Sequence, residues 1–273
     1  MIRSKEFLFK RAVRVLGTAA LLFTLQSGFS AALILADDVL IVGDSQSYTP
    51  FGKKLRKALV EQSGLSVSYY SRPGSVGQNW LDGTVADPTY PGWNAPWGRK
   101  EELLSNGPPA PKLSELLTEH RPRLVVFQLG GNMSYQSEAA IRNSITQMVE
   151  LTRKANAQCL WLGPPPGKKR PPEKFAAFYS IAMPLLEQLG CAFLDTRKAV
   201  SAPQTGDGIH LHENDDDGKK QIQSWINQVK PVIDAYCLRS QSAPNCAAAQ
   251  SETHEPIPKH VIPPLLRPFE IPK

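Results

Sequence analysis

Val39-Leu40-Ile41-Val42-Gly43-Asp44-Ser45-Gln46-Ser47 is the stretch from which the rest of the chain is read. Four consecutive apolar residues closed by a glycine read as a short strand buried on both faces. Ser45 stands just past its carboxyl end, the edge of an open α/β sheet where ligands bind. Further strands are predicted at Val67–Tyr70, Leu124–Leu129, Leu160–Leu162 and Ala192–Leu194. Between them, apolar residues recur at helical spacing over Phe51–Gln62, Glu138–Ala155, Glu173–Leu189 and Gly218–Tyr236, with Pro184 and Pro231 expected to kink or interrupt the last two. Strands alternating with helices imply an α/β fold. The expectation is a flavodoxin-like three-layer sandwich on a five-stranded parallel sheet of order 2-1-3-4-5.

Two stretches break the alternation. Ser75–Lys112 is a long Gly-, Pro- and Trp-rich connection, and such loops are either functional or disordered. From Leu238 to Lys273 the chain is rich in Pro, Ser and Ala and reads as an extended tail. At the other end, residues 1–36 carry Arg3, Lys5, Lys10, Arg11 and Arg14 ahead of the apolar run Val15–Leu25, the pattern of a secretory signal or an N-terminal anchor. The globular domain is thus expected over 37–237.

Composition narrows the function. The net charge is +6, but +4 of it lies in residues 1–30, so the rest of the chain carries only +2. That excludes a nucleic-acid footprint, which needs clustered excess Lys and Arg. Lys168-Lys169-Arg170 is the one tight basic run and reads as a solvated loop. Four cysteines fit an oxidising compartment. Cys237 and Cys246 could close a small loop. Cys159 and Cys191 begin adjacent predicted strands and are either a bridge or two buried thiols.

Two further segments can complete a site around Ser45: Leu129-Gly130-Gly131-Asn132 and Asp207-Gly208-Ile209-His210. Ser45 could be a nucleophile or simply a helix N-cap. His210 could take its proton, and a tight turn would bring Asp207 to the distal ring nitrogen. With Gly74 behind the second strand, these blocks resemble, in their order, the SGNH (GDSL-type) hydrolase superfamily over Val39–Val232. The resemblance implies the same flavodoxin-like fold. It also implies Ser45, His210 and Asp207 as the catalytic residues, and an oxyanion hole from the Ser45 and Gly74 amides and the Asn132 side chain. It prefers His210 to His212 as base. The family has Asp after the block Asn, where this chain has Met133.

Asp44 is expected to organise the turn rather than act as the triad acid. Asp215-Asp216-Asp217 reads as the start of the last helix, where carboxylates favour the dipole; His212 with Glu213 and these aspartates is the alternative, a metal pair. Neither a metal nor a cofactor is called for. Trp80, Tyr90, Trp93 and Trp97 either stack on a sugar or pin their long loop as a satellite core. Gly163-Pro164-Pro165-Pro166-Gly167 is expected to shape the pocket.

The expected activity is that of an exported, secreted or periplasmic serine esterase, free or associated with the envelope, acting on O-acetyl groups of an acylated glycan or another small ester. A secreted lipase, lysophospholipase or thioesterase of the same superfamily is the alternative enzyme. A non-catalytic envelope glycan-binding or assembly module is the alternative without chemistry.

Overall fold

The computed structural model describes residues 36–241, without the side chains of 239–241. The N-terminal export segment and nearly all of the Pro-rich tail therefore lie outside the described residues, as does Cys246. Seven strands form one sheet: β1 (Val39–Gly43), β2 (Val67–Ser71), β3 (Pro91–Ala95), β4 (Glu102–Asn106), β5 (Leu124–Gln128), β6 (Gln158–Leu162) and β7 (Ala192–Leu194), in the order β4-β3-β2-β1-β5-β6-β7. The helices are α1 (Ser45–Tyr48), α2 (Pro50–Ser63), α3 (Gly77–Asp82), α4 (Leu113–His120), α5 (Glu138–Lys154), α6 (Pro172–Gln188) and α7 (Asp216–Gln241).

The five expected strands are present, mutually parallel and in the expected relative order. The correction lies in the long connection. It is not an irregular loop: it holds α3 and the antiparallel pair β3–β4, which extend the sheet beyond β2. Pro91 and Gly92 disfavour a strand locally, so β3 is held by its surroundings. Trp93 packs against Tyr69 of β2, with ring centroids 5.1 Å apart. α4, directly after that connection, likewise lies outside the expected elements.

The sheet is covered on both faces. On one side Leu40, Val42, Val125, Phe127 and Trp161 meet α3–α6 through Trp80, Leu113, Ile145, Met148, Phe178 and Leu186. On the other, Val39, Ile41, Tyr69, Val126 and Leu160 meet α2 and α7. There Phe51 and Trp225 stack at 3.6 Å and 13°. Neither internal proline ends its helix. Buried residues flank Pro184 (Phe178, Ala182, Leu185, Leu186) and Pro231 (Val229, Ile233), so packing on both sides offsets the missing backbone bond. α7 also continues to Gln241, past the expected domain boundary at 237.

At the amino edge of the sheet, opposite Ser45, buried His120 joins α4 to the first two strands. Its Nδ1 lies 3.0 Å from Asp37 Oδ2 and its Nε2 lies 2.8 Å from the Tyr70 hydroxyl. Cys159 and Cys191 form a disulfide joining the start of β6 to the residue before β7. Closing a 32-residue separation stabilises by about 3–4 kcal/mol in a chain-entropy account. Urea denaturation of the Cys159→Ala/Cys191→Ala variant should show a loss of about that size; an unchanged midpoint would mean the bridge does not constrain the unfolded chain.

Candidate active site

Register explains why the site forms where it does. Gly43 at the end of β1 is paired with Ser71 of β2 and Gln128 of β5, so three adjacent strands end at one level. The loops leaving that edge carry Ser45, Gly74 and Asn132. Asp44 caps α1 by accepting from the Gln46 amide at 2.9 Å, which turns the chain sharply and leaves Ser45 half-buried. Arg72-Pro73-Gly74-Ser75 is a turn closed by the Ser75 amide donating to the Arg72 carbonyl at 3.1 Å. Pro73 presets its first corner, and Gly74 takes φ +80°, which favours glycine. Buried Arg72 fixes this turn by donating to the carbonyls of Pro109 (3.0 Å) and Ser71 (2.8 Å); desolvation lowers its pKa to about 10. The Asn132 side chain donates to the Ser75 carbonyl at 3.2 Å, joining the two loops.

A fourth loop follows β7 and brings Asp207 and His210 across. Asp207 Oδ1 accepts from the amides of Ile209 and His210, both at 2.8 Å, and Oδ2 lies 2.5 Å from His210 Nδ1. An ionised carboxylate can only accept, so Nδ1 carries the proton and Nε2 is left to accept from Ser45 Oγ at 2.8 Å. Partial burial alone would raise the Asp207 pKa. The amide and ring hydrogen bonds outweigh it and hold the carboxyl well below the usual range. His212 stands farther off, with Nε2 3.9 Å from Asp207 Oδ1. The acidic residues beside it are engaged elsewhere: Glu213 pairs with Lys54, and Asp215 accepts from Thr205 Oγ1 (2.6 Å) and the Gly218 amide (2.6 Å) at the start of α7.

The structure thus brings Ser45, Asp207, His210, Gly74 and Asn132 to one edge. The tryptophans are elsewhere. Trp80 is fully buried in the core with Nε1 bonded to Ser75 Oγ, and Trp93 is buried against β2. Trp97 is partly exposed, but its amide bonds Ser68 Oγ beside His120, at the opposite end of the sheet. None of the three offers a face to Ser45. Exposed aromatics in the loops of this edge include Tyr135, three residues after Asn132, and Tyr90, just ahead of β3; nothing in the sequence distinguishes Tyr135 from an ordinary loop tyrosine. Met133, where the family has Asp, is fully buried and joins the core.

Gln46 has a role the sequence only hinted at. Its side chain is buried, and Nε2 donates to the carbonyl of Ile209 at 2.9 Å. This single bond ties the nucleophile turn to the loop that holds His210, across 163 residues of sequence. Ser47 and Tyr69 hydroxyls both donate to Gln128 Oε1, at 2.6 and 3.2 Å, locking α1 onto β5. The crevice beneath, between Asp44, Gln46, Gln128, Leu129, Leu162, Pro164 and Pro165, is too narrow to hold a water molecule.

No family model matches the sequence, and no curated protein is similar to it. Solved structures are. TesA superposes with a TM-score of 0.53 at 22% identity, over 72% of this chain and 98% of that one. The psychrotrophic esterase EstA from Pseudoalteromonas, in a structure inhibited by monoethylphosphonate, gives 0.52 at 16%, over 72% and 100%. A GDSL-like lipase from Bacteroides thetaiotaomicron gives 0.50 at 13%, over 72% and 87%. The chain shares the three-layer α/β fold of these proteins.

Replacing Gln46 with Leu should lower turnover about fivefold with a small change in melting temperature, since one interloop hydrogen bond contributes about 1 kcal/mol. Equal turnover in steady-state assays would show that the Ile209 tether is dispensable. The depressed Asp207 pKa carries its own signature: its contribution to stability is complete above about pH 4 and fades as the pH falls further. The stability gap between wild type and Asp207→Asn should therefore close on acidification, and a gap independent of pH would contradict it.

Proposed function

We propose that this chain is a serine esterase that cleaves O-acyl esters by way of an acyl-enzyme. The observation that carries the reading is the continuous chain Ser45 Oγ–His210 Nε2, His210 Nδ1–Asp207 Oδ2, at 2.8 and 2.5 Å. In the first half-reaction Ser45 Oγ attacks the ester carbonyl and its proton passes to His210 Nε2. Asp207 stabilises the imidazolium. Negative charge collects on the carbonyl oxygen, where the amides of Ser45 and Gly74 and the Asn132 side chain can donate. Collapse of that intermediate expels the alcohol, which takes the proton from His210. Water then repeats the cycle on the acyl-Ser45 ester and releases the acid.

The proposed substrates are short acyl esters, O-acetyl groups of a carbohydrate or cell-envelope polymer. The crevice beneath the nucleophile turn, too narrow for a water molecule, offers no slot for a long acyl chain and so supports a short acyl group. Exposed Tyr135, beside Asn132, takes the place expected of the tryptophans as a flat face for a sugar ring. Export is proposed on the basic-then-apolar N-terminal pattern, supported by the Cys159–Cys191 bridge, since disulfides persist in oxidising compartments.

Aryl esters from acetyl to long-chain, assayed with the full chain and with Ser45→Ala, test the reading. Turnover is expected to be highest for acetyl and to fall by at least about 1000-fold in the variant, as losing the triad nucleophile does. Rates rising with chain length would replace the acetylesterase by a lipase, and turnover that survives Ser45→Ala would remove Ser45 as nucleophile.

A further inference from the structure

Arg170 closes the run Lys168-Lys169-Arg170, yet the run is not the solvated loop its composition suggests. Lys168 and Lys169 are exposed, whereas Arg170 is only 6% accessible. Desolvating a guanidinium is costly unless its charge and protons are engaged. Its surroundings show where the charge acts. The guanidinium lies on Gly131, where a Cβ would collide with Nη1 and stand 2.9 Å from Cζ. Gly131 is thus glycine for close approach, directly before Asn132. The Phe175 ring lies 5.5 Å from the guanidinium carbon. Nη1 is buried and finds no hydrogen-bond partner among the described residues.

The carboxylate that feels this charge is Asp44, buried beside the nucleophile. Burial pushes the Asp44 carboxyl up. Arg170 is the strongest influence opposing it, followed by the Gln46 amide, His210 and the Gly131 amide. Asp44 is bonded to the nucleophile turn through the Gln46 amide at 2.9 Å, and the Arg170 charge favours its ionised form. We infer that Arg170 is a positioning residue for the oxyanion site: its buried guanidinium, packed against Gly131, backs the Gly130–Asn132 block beside the nucleophile turn. No bond forms or breaks at Arg170. It fixes donors that must be in place before charge develops on the substrate oxygen. The inference rests on the serine-esterase reading.

The test measures kcat, KM, the pH dependence of kcat/KM and the melting temperature for an aryl acetate, with the full chain as wild type, Arg170→Met, Arg170→Lys and Gly131→Ala. Arg170→Met is expected to lower kcat about 10- to 100-fold, less than deleting an oxyanion donor outright, with KM within about twofold. The acid limb should move to higher pH, because Asp44 protonates more readily without the cation. Arg170→Lys should keep the wild-type limb and recover part of kcat. Gly131→Ala, which pushes the guanidinium aside, should lower kcat in the same manner.

An Arg170→Met enzyme within twofold of wild type overturns the inference, as does a lower kcat that follows a lower melting temperature with an unmoved pH profile. Should Arg170→Met fail to fold, wild-type kcat and pH profile in both Arg170→Lys and Gly131→Ala overturn it equally. A wild type with no Ser45-dependent turnover removes the esterase reading, and the role of Arg170 with it.

Discussion

The level at which three parallel strands end governs this molecule. Gly43 is held between Ser71 and Gln128 by ladders on both sides, so the chain leaves β1, β2 and β5 at one edge. Both faces of these strands are core, so a shift of one residue in either ladder would move every side chain into a close-packed layer shaped for a different one. The register is therefore fixed by hydrophobic burial far from the chemistry. The loops inherit that precision, and short contacts complete it: Asn132 to Ser75, Gln46 to Ile209, and Ser47 to Gln128.

Charge is distributed over this edge with a purpose for each group. Asp207 is held ionised by amide donors and faces the ring of His210. Asp44 is a second carboxylate, close in sequence to the nucleophile, but its oxygens serve the backbone and not the imidazole. Two carboxylates near one histidine thus have separate duties, set by what each accepts from. Arg170 compensates the more deeply buried of the two.

Much of this was legible in the sequence, for identifiable reasons. Runs such as Leu124–Gln128 are apolar on both faces, and only a central parallel strand asks for that. Asp207-Gly208-Ile209-His210 carries its geometry locally, because the acid accepts from the amides of the residues two and three places on. What escaped depends on distant partners. β3 contains Pro91 and Gly92 and is a strand only because β2 offers an edge and Trp93 finds Tyr69. Leu113, Leu116 and Leu117 of α4 do keep helical spacing, a signal masked by the irregular stretch before them. Trp80, Trp93 and Trp97 have the composition of a sugar platform, but two are buried and the third sits at the other edge. In Lys168-Lys169-Arg170 the third residue alone is buried, because a glycine 39 positions earlier leaves room for it.

The central claim is that His210 and Asp207 activate Ser45 at this edge. Peptide mass mapping after treatment with a fluorophosphonate tests it most directly. The account predicts one adduct per chain, on Ser45, formed far more slowly in His210→Ala at equal foldedness. No adduct on Ser45 in the folded protein, or labelling at the same rate without His210, would contradict it.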